Sequence, residues 1–241
     1  LELGLDRGQD GQSYPYALNF DVIAHEVGHA ILFSQIGTPG ESALPEDYAP
    51  FHEASADLIS LLSFLHFDSG IDRLLRHTQG NLMVLNELNR IAELSGDRQI
   101  RLASNARRLS EVTGEVHDRS RPFTGAVFDT MVDAYHARLV REGLADERLL
   151  AVDPRSLDER ALRRISELTN RAYRASPFRF KSALTAARDD VALALARAWP
   201  LLDPDALGFS QAAYAIVEAG GHIDHGLAVQ FDENFRWREI L

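Results

Sequence analysis

The chain contains no cysteine among its 241 residues. That excludes disulfides, thiolate zinc sites, iron–sulfur clusters and cysteine nucleophiles, so any bound metal has to be held by His and carboxylate side chains. Lysine is almost as scarce: of 25 basic residues only Lys181 is Lys, and it sits in a helical stretch with no partner motif. Long apolar runs are missing as well. The longest, around Leu58 to Phe67, is broken by Ser and His and falls well short of the roughly 20 residues of a membrane span. Positive charge is in deficit, with 36 acidic against 25 basic side chains and a net charge of −11. Nucleic acid or an anionic membrane is therefore disfavoured as the main partner.

What is present is the composition of a protein able to bury a sizeable core, 45% hydrophobic and 25% charged. The length suits one large domain or two small ones, and the reading is one domain over residues 1–241. The acidity is uneven. Residues 1–60 carry ten Asp and Glu against the single Arg7, which favours a bound cation in that quarter. The chain opens on Leu1 rather than Met and is read as a piece of a longer protein. Residues 1–18 form an irregular leader, rich in Gly, Asp, Gln and Tyr, without the basic start and apolar stretch of a signal peptide.

From Leu18 onward the periodicity is helical almost throughout. Helices are expected over 19–35, with Asn19 as N-cap and Gly37 as stop, and over 50–67, opening at Pro50. Further helices are expected over 81–95 and over 122–142, the latter begun by Pro122. A Ser156–Glu159 capping box precedes one ending near Ala175, and others cover 178–199 and 204–219. A core stripe runs through Leu162, Ile165, Leu168 and Ala172. The Arg residues of the later helices are read as solvated faces paired with nearby acids. A small hairpin is admissible in 1–16 or 97–118. The fold class is mainly α, with little or no β-sheet.

The first helix carries His25-Glu26-Val27-Gly28-His29, an H-E-x-x-H motif. Residues i and i+4 share a helix face, so both imidazoles can meet one ion, and Glu26 can reach a water on that ion without ligating it. With this composition the pattern arises by chance in roughly two of a hundred such chains, so the metal-site reading prevails. The second helix offers Glu53 and Asp57, again i and i+4, flanking the small residues Ala54, Ser55 and Ala56 that permit close packing. One carboxylate can ligate while the other accepts a hydrogen bond from the far nitrogen of a ligating His. No dense acidic cluster of the kind calcium needs follows Glu53. His222 and His225, in a Gly-rich stretch, are read as an exposed turn, and His66, His77 and His136 as surface or packed residues.

This combination, H-E-x-x-H on one helix and Glu53-x-x-x-Asp57 on the next, resembles the thermolysin-like gluzincin zinc metallopeptidases. The segment His117 to Asp129, containing Ser120, Phe123, Gly125 and Ala126, resembles the H-x-x-S-x-x-F-x-G-A-x-x-D stretch of the same families. The resemblance implies one zinc per chain on His25, His29 and Glu53, with Glu26 as general base and Asp57 orienting a ligating His. It further implies His117, in a loop before a helix, as the group that hydrogen-bonds the oxyanion. Tyr48 is the candidate for an assisting hydroxyl. The implied activity is hydrolysis of internal peptide bonds in a polypeptide substrate, and the implied fold is the helical lobe of such an enzyme. Only 24 residues precede His25, so the β-rich lobe of these enzymes is expected to be absent or abbreviated. The alternative is a non-catalytic zinc-binding helical interaction domain. The resemblance tips location towards secretion from a bacterium, although a Cys-free chain suits the cytoplasm equally. Oligomeric state is left open.

Overall fold

The computed structural model describes residues 5–7, 13–15, 19–40, 44–84, 86–91, 101–152 and 159–241. Among them lie eight α-helices: α1 (Phe20–Ile36), α2 (Tyr48–Phe64), α3 (Asp68–Thr78), α4 (Val116–Arg141), α5 (Glu159–Ala175), α6 (Pro177–Ala198), α7 (Phe209–Gly221) and α8 (His225–Trp237). Two minimal antiparallel hairpins complete the described elements. β1 (Leu5–Arg7) pairs with β2 (Ser13–Pro15), and β3 (Arg90–Ile91) pairs with β4 (Arg101–Leu102). The mainly α expectation holds, and the small hairpin admitted within residues 1–16 is β1–β2, set in the leader otherwise read as irregular. No described helix is long and apolar enough to cross a membrane.

α4 organises the rest. Between Ser120 and Leu139 nearly every side chain is buried, the signature of a helix surrounded by others rather than lying on a surface. α2, α6 and α8 pack around it, α1 packs on α2, and α7 pairs with α8. Where α2, α4, α7 and α8 meet, Phe123 contacts Phe51, Phe209 and Phe235, with ring centroids 5.2–5.3 Å apart. Such pairs add about 0.5–1.5 kcal/mol each beyond the apolar area they bury.

Several helix boundaries differ from those the periodicity predicts, each for a local physical reason. α4 begins at Val116, not Pro122. The Glu115 side chain accepts from the Asp118 N–H, and the Asp118 carboxylate takes the Thr113 N–H and hydroxyl. This built cap carries the helix through Pro122, whose missing N–H falls in the second turn. The helix expected over 81–95 is replaced, in its described part, by turns, a 3-10 turn at Glu87–Asn89 and strand β3. The Asn81 side chain accepts from the Met83 N–H, and Asn86 donates to the Leu82 and Val84 carbonyls while accepting from the Leu88 N–H. These short-range bonds offer the backbone a rival to the helix ladder. The helical segment there is instead α3, ended by Gln79 in the left-handed conformation. α7 starts at Phe209 after a 3-10 turn at Pro204–Ala206. α8, which the Gly-rich run around His222 and His225 concealed, starts where Asp224 accepts from the Gly226 and Leu227 N–H groups. Both of those His residues are exposed, as expected. Ser156 of the expected capping box lies outside the described residues.

The C-terminal end is fastened to the centre of α4 by a buried charge. Arg238 is fully buried and donates to Asp129 at 2.6 Å, to the Asn105 side chain and carbonyl, and to the Arg107 carbonyl. A Cβ on Gly125 would stand 2.6 Å from its guanidinium carbon, so Gly125 is the space that guanidinium occupies. Gly125 and Asp129 of the segment following His117 thus serve the core. Asp129→Ala, which leaves Arg238 buried without its counter-ion, is expected to cost about 3–5 kcal/mol in urea unfolding. A loss below 1 kcal/mol would contradict this account.

His136, also on α4, is fully enclosed, and neither ring nitrogen has a partner among the described residues. Burial holds its pKa down at about 3, against 6.5 for a free imidazole. The unfolded chain takes up this proton below pH 6.5 and the folded chain does not. Stability is therefore full above pH 6.5 and falls progressively towards pH 3. His136→Leu is expected to flatten part of that decline between pH 6.5 and 4, and stability–pH profiles parallel to those of the wild type would refute it.

Candidate metal centre

The site is made by the crossing of α1 and α2. α1 starts where the predicted cap operates, the Asn19 side chain accepting from the Asp21 and Val22 N–H groups, and it stops at Gly37. Its middle residue Gly28 faces Ala56: a Cβ there would stand 3.0 Å from the Ala56 Cα and 3.3 Å from Ile59. The two backbones therefore approach as closely as they do because neither helix has a large side chain at the contact. The Ser60 hydroxyl, donating to the Asp21 carbonyl at 3.1 Å, ties the other end of the crossing.

This approach brings His25 and His29 of α1 against Glu53 and Asp57 of α2. Nε2 of His25 lies 3.1 Å from Nε2 of His29 and 3.3 Å from Oε2 of Glu53, and His29 Nε2 lies 3.5 Å from Oε1 of Glu53. The two His–Glu53 separations, each to a different carboxylate oxygen, fall among the ligand–ligand edges of about 3.3–3.6 Å that a tetrahedral ion with bonds of about 2.0–2.2 Å requires, and the His25–His29 separation is slightly shorter. The three residues form a group able to hold a metal ion. Asp57, almost fully buried, accepts from Nδ1 of His25 at 2.8 Å. That bond fixes the tautomer with the proton on Nδ1, so the Nε2 lone pair points into the group.

The remaining expected residues divide. Glu26 is half-buried on the next helix position and makes no hydrogen bond or ion pair with the described residues. His117 does come to the site, but from the first turn of α4 rather than from a loop, with its Nδ1 3.1 Å from Oε2 of Glu53. It stays half-exposed, whereas His25, His29 and Glu53 are 80% covered or more. Tyr48 has another employment: its hydroxyl donates to the Gly37 carbonyl at 3.0 Å, closing the turn after α1. It therefore ties the chain between α1 and α2.

Two participants were not anticipated from the sequence. His52 is buried with its ring parallel to that of His29, centroids 6.1 Å apart, between Phe33 and Tyr48. Burial, and then the charge of His29, push its pKa down to about 4, so at neutral pH it adds no positive charge beside the ligands. Asp47, at the start of α2, accepts from Arg119 at 2.8 Å and from the Phe209 N–H at 3.0 Å. Arg119 lies two residues after His117, so this junction fixes the start of α4 against α2 and delivers His117 to Glu53. The signal that could have found it is weak, an acid before one helix and an Arg in the first turn of another.

Asp57→Asn is expected to weaken metal binding about 10- to 100-fold by loosening the His25 ring, read by competition with a chromophoric chelator. Unchanged affinity would remove Asp57 from the site. Comparison of the chain with protein-family models, with curated proteins and with solved structures finds no match.

Proposed function

We propose that the protein is a zinc-dependent metallopeptidase that hydrolyses internal peptide bonds, with zinc on His25, His29 and Glu53. The observation that carries this reading is the candidate ligand group itself: two imidazoles and one carboxylate close enough to share one ion, with Asp57 behind His25. Three protein ligands leave one position open, as catalytic zinc sites do and structural ones do not. When bound, zinc supplies a Lewis acid that polarises a carbonyl oxygen and brings the pKa of a water towards neutrality.

The chain's own groups supply the rest. Glu26, one helix position from His25 and not among the ligands, takes the proton of the attacking water and returns it to the leaving amine. His117 reaches the site from α4 and donates to the oxygen that becomes negative in the tetrahedral transition state. The polypeptide substrate enters from the exposed His117 side. The resemblance of the H-E-x-x-H, Glu53-x-x-x-Asp57 and His117–Asp129 segments to gluzincins supports the same assignment.

Metal analysis is expected to find one zinc per chain, and cleavage of denatured casein should stop on chelation and return with zinc. Glu26→Gln should keep its zinc while losing about 10²- to 10⁴-fold in turnover. A Glu26→Gln protein cleaving as fast as wild type would sink the mechanism. Zinc held firmly with no chelator-sensitive cleavage would instead identify a non-catalytic zinc-binding helical module.

A further inference from the structure

We infer that His117 is a positioning residue for the Glu53 carboxylate, holding that ligand through its Nδ1–H, so that three helices and not two build the metal centre. The inference rests on the reading of His25, His29 and Glu53 as metal ligands, and it adds a function for the edge of the His117 ring that faces away from the substrate.

The geometry separates ligand from holder. His117 Nδ1 lies 3.1 Å from Oε2 of Glu53, hydrogen-bonding distance, yet His117 falls outside the set of mutually close ligand atoms formed by His25, His29 and Glu53. Glu53 needs such a holder. Its carboxylate stands on a flexible stem, and its two oxygens face different imidazoles, Oε2 towards His25 and Oε1 towards His29. A carboxylate that gives one oxygen to an ion offers the other to hydrogen-bond donors, and here His117 faces Oε2 while Oε1 faces His29. Asp57 plays the corresponding part for His25 at 2.8 Å; His117 plays it for Glu53.

The surroundings of His117 are built to keep it there. Glu115 caps the Asp118 N–H at 2.8 Å, Asp118 takes the Thr113 N–H at 2.8 Å, and Arg119 is clamped by Asp47 at 2.8 Å. Residues on both sides of His117 are thus fastened, one set to the helix start and the other to α2. With Nδ1 turned to Glu53, the imidazole geometry turns Nε2 away from it, and holding Glu53 while donating to a substrate oxygen requires the imidazolium, which carries a proton on each nitrogen.

Zinc affinity of the full chain, measured by competition with a chromophoric chelator, tests this without reference to turnover. His117→Ala should bind zinc about 10- to 100-fold more weakly. Its melting temperature should be unchanged, since the ring is half-exposed, and its cobalt-substituted form should keep the wild-type visible spectrum because the ligands are the same. An Asn amide nitrogen sits on Cγ as Nδ1 does, whereas a Gln amide reaches only the Nε2 position. His117→Asn should therefore recover most of the affinity while His117→Gln does not. Wild-type affinity in His117→Ala, or Asn and Gln variants indistinguishable from each other, would overturn the inference. An altered cobalt spectrum in His117→Ala would overturn it too, by making His117 a direct ligand. A wild-type chain that takes up no zinc would overturn the metal-site reading itself.

Discussion

The contact on which the site depends is that of Gly28 with Ala56, where α1 and α2 cross with no room for one more methyl group. Imidazole and carboxylate side chains are short, and His25, His29 and Glu53 come within one coordination radius of a common point only when their helices nearly touch. A Cβ at Gly28 would meet the Ala56 backbone at 3.0 Å and require the helices to give by a few tenths of an ångström, comparable with the roughly 0.2 Å tolerance of a metal–ligand distance. The same closeness buries Asp57, which would otherwise be hydrated, and makes its bond to His25 a determinant of tautomer rather than a surface ion pair.

α4 gives the crossing its third side. Its first turn carries His117 and Arg119 to α2, its middle is almost entirely enclosed, and Asp129 takes the buried Arg238 from beyond α8. One rigid rod therefore connects the metal centre with the aromatic cluster around Phe123 and with the chain's last residues. The Asp47 junction serves both purposes, accepting from Arg119 of α4 and from the first N–H of α7. Charge that would be unremarkable on a surface becomes directional here because each group is held by partners far away in sequence.

Much of the site was legible in the residues themselves. His25 and His29 at i and i+4, with Asn19 ahead and Gly37 behind, specify a capped helix with two imidazoles on one face, and the small residues around Ala56 announce close packing. Glu53 and Asp57 were readable for the same reason. His117 was readable only as a member of a resembling segment, and its setting was misjudged. The Glu115 and Asp118 caps outweigh the usual preference for starting a helix at Pro122, so it stands on a helix and not in a loop. The partner of the Tyr48 hydroxyl, the Gly37 carbonyl, was not legible, because nearness to Glu53 along the chain says nothing about which carbonyl that hydroxyl meets. The helix expected over 81–95 gave way, in its described part, to the side-chain turns of Asn81 and Asn86, and α8 was concealed by glycines that periodicity alone takes for a loop.

By itself the sequence determined what short-range geometry controls: the mainly helical class, the caps at Asn19 and Gly37, and the sharing of one helix face by two imidazoles able to bind a metal. Only the tertiary structure decided which distant groups meet. Asp57 finds His25, Glu53 finds His117, and Arg119 finds Asp47 from 72 residues away. Helical periodicity repeats every 3.6 residues and carries no information about the partner across a helix crossing. That choice is made by packing, where the volume of a glycine, the burial of a carboxylate and the reach of a guanidinium are settled together.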